Sequence, residues 1–148
     1  MGQSETGRIW SLLVTRDGAH VDARPMGAMA RQADGCIYIL ANKGEDSDQQ
    51  VQQDSEVVLS FQKGASFVVV HGMAHASDDR AKLAELFNVF DKAWWDGPDD
   101  PRIRLLMVTP RDCEYWESPG KLVACADMLL AAVTGTKPNT GEHGRVPL

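Results

Sequence analysis

The chain has 148 residues, of which 43% are apolar and 24% charged, with a net charge of −6. This is one ordinary domain, residues 1–148, with enough apolar side chain for a core, which excludes global disorder. An acidic balance without clusters of Lys and Arg argues against nucleic acid as a partner and leaves a protein that handles small molecules.

In chain order, IWSLLVTR (Ile9 to Arg16) is β-like, Asp17-Gly18 is a hairpin signal, and HVDARPMGAMARQ follows as a second strand. Ala33-Asp34-Gly35 marks a turn before a third strand, CIYILAN (Cys36 to Asn42). DQQVQQ suits one or two helical turns capped by Ser47 or Asp48. EVVLSFQ and SFVVVHGMAHA read as the next two strands, linked by Lys63-Gly64-Ala65. A helix then starts at Ser77-Asp78, with Leu83, Leu86, Phe87 and Phe90 as its apolar stripe. AWWDGPDDP is a loop, and RIRLLMVTP and DCEYWES are two strands split by Pro110. LVACADMLLAAV is a last helix ended by Gly135, and the tail after it is too polar to fold alone. Short strands with hairpin links point to a mainly β sandwich or barrel with flanking helices.

Cys36, Cys113 and Cys125 are odd in number and lack a CxxC spacing. They read as reduced thiols in a cytoplasmic protein rather than as a disulfide or zinc framework. No secretory pattern opens the chain, and the run Met128 to Val133 is too short to span a bilayer, so no membrane role is expected. His71 and His75 stand four apart on a strand, roughly 13 Å from each other, too far to chelate one ion. No metal site is expected. There is no nucleophile elbow and no phosphate loop, so no catalytic residue is assigned.

Two features have more to offer. Trp94 and Trp95 are adjacent and cannot both enter one core from one element, so one covers the core while the other reaches a ligand or partner, or both pack beneath the loop. In the second strand, His20, Asp22, Arg24 and Met26 share one face, and Val21, Ala23, Pro25 and Gly27 share the other. Arg24 beside Met26 offers a guanidinium for a phosphate next to a soft apolar wall. Pro25 marks a strand edge or a bulge.

The segments VTRDGAHVDARPM, CIYILAN, VVLSF, SFVVVHGMA, WWDGPDDPRIRLLMVTP and EYWE, with the tail TGTKPNTGEHGRV, occur in an order that resembles the general stress branch of the pyridoxamine 5′-phosphate oxidase-like family. That resemblance implies a six-stranded antiparallel split β-barrel in a homodimer, with FMN at the interface and a flavin-dependent oxidoreductase activity on a small molecule. It carries Arg24, Pro25 and Met26 to the phosphate or ribityl side of the flavin. Ile39, Leu40, Ala41 and Asn42 match the strand along the ring, and Trp116 matches a residue near the flavin of the second subunit. The family pattern also has a Thr and, six residues on, a Lys where this chain has Ala41 and Ser47. It has a small polar residue where this chain has Val69. Lys43 is the candidate substitute for the missing Lys. Each lost contact is worth about 1–3 kcal/mol, so FMN affinity is expected to fall. The other reading is a binding protein with a degenerate flavin site, or one for a different flavin or haem.

Overall fold

The computed structural model describes residues 8–116 and 143–147. In chain order it contains β1 (Ile9–Asp17), β2 (His20–Arg31), β3 (Cys36–Asn42), α1 (Asp46–Gln53), β4 (Glu56–Lys63), β5 (Ser66–Ser77), α2 (Arg80–Leu86), a 3₁₀ turn (Val89–Ala93), β6 (Ile103–Trp116) and β7 (His143–Pro147). All ladders are antiparallel, in the order β3-β2-β1-β4-β5-β6-β7. A further pairing of β3 with β6 closes the first six strands into a barrel. The architecture is therefore mainly β, a six-stranded antiparallel barrel with two helices, as expected.

The hairpin signals act where the sequence places them. Asp17 pairs with His20 across Gly18-Ala19, and Gly18 takes a φ of 61°, a conformation open to glycine at no steric cost. Along each strand, alternate residues enter the barrel. Leu13, Ile37, Ile39, Leu59, Phe61, Val68, Val70, Leu106 and Val108 form the centre of the core. β3 is buried on both faces. Ile37, Ile39 and Ala41 point inward, while Cys36, Tyr38 and Leu40 lie in a second apolar layer with Leu83, Leu86, Trp95, Ile103 and Leu105.

Several sequence expectations need correction. Pro110 does not split a strand, since β6 runs unbroken through it. Its missing N–H is absorbed by a bulge: Gly72 faces Pro110, His71 faces Asp112, and Arg111 is the extra residue. Gly72 has to be small here, because a Cβ would lie 2.6 Å from the Thr109 carbonyl oxygen. The second helix begins at Arg80, two to three residues later than expected, capped by the Asp79 side chain on the Lys82 N–H. It stops at Leu86 because Phe87 turns extended, so Phe90 leaves the apolar stripe and is 74% exposed. α1 starts at Asp46, which puts Ser47 and Asp48 inside its first turn rather than at the cap, where Glu45 stands. His143–Pro147 forms a strand that local polarity hid; it is ordered by pairing with the second half of β6. The helix expected over LVACADMLLAAV, with Cys125 and Gly135, lies outside the described residues.

Cys36 and Cys113 are buried free thiols, and burial pushes the Cys113 thiol up to about 11, so it is neutral near pH 7. No helix among the described residues is long and apolar enough to cross a membrane.

α2 is pinned to β3 by a polar triad. The Tyr38 hydroxyl donates to Asp34 at 2.6 Å, and Lys82 donates to the same carboxylate at 3.0 Å while standing 5.6 Å over the Tyr38 ring. The hydrogen bonds from Tyr38 and then Lys82 hold the Asp34 carboxyl below its ordinary value of 3.8. A carboxylate depressed in the folded state stabilises above its unfolded pKa and loses that contribution as pH falls through the folded value. The gap in urea midpoint between the wild type and Asp34→Asn is therefore expected to be full at neutral pH and to close as the pH drops below 3.8.

Candidate functional site

β2 pairs with β3 only from Ala28 onward, so the stretch around Pro25 is bonded on one side alone, to β1. Pro25 thus lies on a free edge, opposite Leu12, where no ladder donor is needed. Beyond that edge opens a groove of about 1210 Å³. Its floor is the edge of β2 and the end of β3, one side is the start of α1, and the other is the segment from Asn88 to Trp95. Its walls are largely apolar, with Trp10, Pro25, Met26, Leu40, Phe90 and Trp94 among them. The volume lies above the usual range for small-molecule sites, which suits a ligand with a flat ring and a side arm.

The structure brings Arg24, Pro25, Met26, Leu40, Ala41, Asn42 and Ser47 together along this groove. Ile39 instead points into the barrel core and is fully buried. Trp116 ends β6 opposite Phe67, away from the groove of its own chain. Val69 lies on the outer face of the sheet, between Ser60 and Glu114. Lys43 does not line the groove, and its ammonium faces Asp78 at 3.6 Å.

The adjacent tryptophans divide their roles. Trp95 is buried in the second layer and donates from its indole N–H to the Asn42 side-chain oxygen at 2.8 Å, while Trp94 is 57% exposed. The oxygen of Asn42 is therefore engaged in holding the groove wall.

Arg24 is engaged as well. Its guanidinium donates to the Thr15 hydroxyl at 2.7 Å, to the Gln50 side-chain oxygen at 3.0 Å and to the Leu13 carbonyl at 3.4 Å. Gln50 in turn donates to Asp22 at 2.8 Å. Thr15 and Gln50 are buried, so this network ties α1 to the barrel wall. The face bearing Asp22 and Arg24 is the more buried one, and Val21, Ala23 and Pro25 are exposed.

The groove also contains residues that sequence reasoning missed. Arg8 crosses β2 over Gly27, where a Cβ would meet Arg8 Cδ at 2.4 Å, and forms an ion pair with Asp91. The second oxygen of Asp91 accepts from Arg8 at 3.0 Å and from the Asn88 N–H at 2.9 Å. Asp91 is 1% exposed and, with Asn88, makes a capping box for the turn that carries Phe90 and Trp94. No local pattern marks two residues 83 apart as partners. His71 meets Asp112 at 3.0 Å on the outer face, and His75 is exposed. No group of three or more metal-ligating side chains occurs among the described residues.

A family model described as pyridoxamine 5′-phosphate oxidase like matches residues 6–139. The chain belongs to that family. Several solved structures share the fold. General Stress Protein 26 from Bacillus anthracis str. Sterne is 18% identical with a TM-score of 0.67, over 78% of this chain and 94% of its own. A candidate general stress protein 26 from Jannaschia sp. CCS1 is 22% identical with a TM-score of 0.70, over 99% and 94%. A pyridoxamine 5′-phosphate oxidase-related, FMN binding protein from Nostoc punctiforme PCC 73102 is 15% identical with a TM-score of 0.62, over 76% and 75%. No curated protein matches the chain.

FMN, the usual cofactor of the pyridoxamine 5′-phosphate oxidase-like family, fits this groove only in part. A flat ring meets suitable apolar and aromatic walls. Among the described residues lining the groove, both guanidinium groups already have partners, Arg8 in Asp91 and Arg24 in Thr15 and Gln50. The described lining residues therefore suit the ring better than the phosphate.

Removing the carboxylate of Asp91 leaves Arg8 without its partner and the turn without its cap. Asp91→Ala is expected to cost on the order of 3 kcal/mol in chemical denaturation, with a red shift of tryptophan emission as the Trp94-Trp95 segment loosens.

Proposed function

We propose that this protein is a homodimeric binding protein of the general stress type whose groove takes a flat, flavin-type heteroaromatic ligand. The observation that carries this reading is the convergence of Met26, Leu40, Phe90 and Trp94 with the polar Asn42 and Ser47 around one groove. Such walls stack on and desolvate a ring, and the few polar groups orient its arm.

The dimer part of the reading is supported by the outer face of the sheet. Trp10, Leu12 and Val14 on β1 lie beside Gly27, Pro25 and Ala23 on β2, and Val58 continues the row on β4. Trp10 is 65% exposed and Leu12 42%. An apolar face of this kind is characteristic of an interaction surface. Buried free thiols at Cys36 and Cys113 support a reducing, cytoplasmic setting.

A second reading, a flavin-dependent oxidoreductase, is favoured by the exposure of Phe90 and Trp94, which leaves room beside a bound ring for a second reactant. Steady consumption of a reduced nicotinamide by protein and added flavin is its measurement, and no turnover above that of free flavin would exclude it.

Two outcomes test the main reading. Added riboflavin should lose fluorescence on titration with the protein, with saturation at micromolar concentration. An unchanged signal would remove the flavin assignment. Sedimentation should give twice the chain mass of 16.2 kDa for the wild type. Leu12→Asp, which puts a charge in the centre of the apolar face, should move the mass toward that of one chain.

A further inference from the structure

Resting on the flavin-type reading, we propose that the groove selects a ligand without a phosphate, such as a flavin lacking its 5′-phosphate, over FMN. Among the described residues, the charged side chains lining the groove are Arg8, Arg24, Glu45, Asp46 and Asp91. Arg8 is neutralised by buried Asp91, while the Arg24 guanidinium donates to Thr15, Gln50 and the Leu13 carbonyl and stands 3.9 Å from the Asp22 carboxylate. Glu45 and Asp46 are exposed, and neither takes part in an ion pair among the described residues. With Arg8 matched by Asp91 and Arg24 beside Asp22, the unpaired charge among the described lining residues is that of Glu45 and Asp46, which is negative.

The start of α1 reinforces this. A helix N-terminus favours an anion by about half a unit of charge. Here Asp46 and Asp48 occupy the first turn, and the Asp48 carboxylate already accepts the Gly44 N–H at 2.8 Å. Asp48 is buried and paired with Arg104 at 3.0 Å, so the carboxylates that a phosphate meets at this end are the exposed Glu45 and Asp46. Hydroxyl groups have the opposite preference. They donate to carboxylates, which only accept, and to the Ser47 oxygen, which does both. A ribityl-like chain of hydroxyls therefore suits this end of the groove, and a phosphate monoester does not.

The test is a paired fluorescence titration of the full chain with riboflavin and with FMN at low ionic strength. The expected result is an FMN dissociation constant about tenfold above that of riboflavin, with the ratio shrinking as salt is added. In the double variant Glu45→Gln and Asp46→Asn the ratio should fall toward one. FMN binding as tight as, or tighter than, riboflavin would overturn the inference and leave the flavin reading standing. A ratio unmoved by the double variant would also overturn it. Failure of both flavins to bind would remove the flavin reading and the inference with it.

Discussion

Everything in this protein hangs on β3 being covered on both faces. Its pairing with β6 closes the sheet, which removes two free edges and encloses Ile37 and Ile39. Its outward residues, Tyr38 and Leu40, then need a roof, which α2 and Trp95 supply. The roof in turn fixes where the chain re-enters β6, and so the segment from Asn88 to Trp95 is held beside the end of β3. The groove is the space left between that segment and α1. A site built this way inherits its shape from the closure of the barrel rather than from any loop of its own.

The two polar networks share a design. In each, a charged group that a reader of the surface would assign to a ligand is turned inward to tie secondary elements together. Arg24 ties α1 to the barrel through Thr15 and Gln50. Arg8 ties the 3₁₀ turn to β2 through Asp91. Partly buried guanidinium groups are costly unless their donors are satisfied, so these partners are part of the fold and are not readily released to a ligand. The apolar walls remain as the main means by which the groove holds anything.

Much of the architecture was legible from local signals. Strand alternation in IWSLLVTR and EVVLSFQ, the Asp17-Gly18 turn and the order of motifs were enough for the barrel. The candidate site was legible where its residues are neighbours in sequence, as in Arg24 to Met26 and Leu40 to Asn42. What stayed hidden depends on distance along the chain or on tertiary rescue. Pro110 looked like a strand end because the bulge at Arg111 that accommodates it requires β5 opposite. Phe90 fitted a helical stripe because nothing local shows Phe87 leaving the helix. Ile39 matched the ring-lining strand, yet period-two alternation sends its side chain into the core while Leu40 faces the groove. The outward use of Trp94 and the inward use of Trp95 depended on Asn42, 53 residues from Trp95.

The crossing of Arg8 over Gly27 has a consequence for how this chain can vary. A side chain at position 27 would collide with the arginine, and an arginine displaced from that path would strand the buried carboxylate at position 91. Positions 8, 27 and 91 are therefore a correlated triplet. A change at any one of the three therefore calls for a matching change at another if this wall of the groove is to keep its shape.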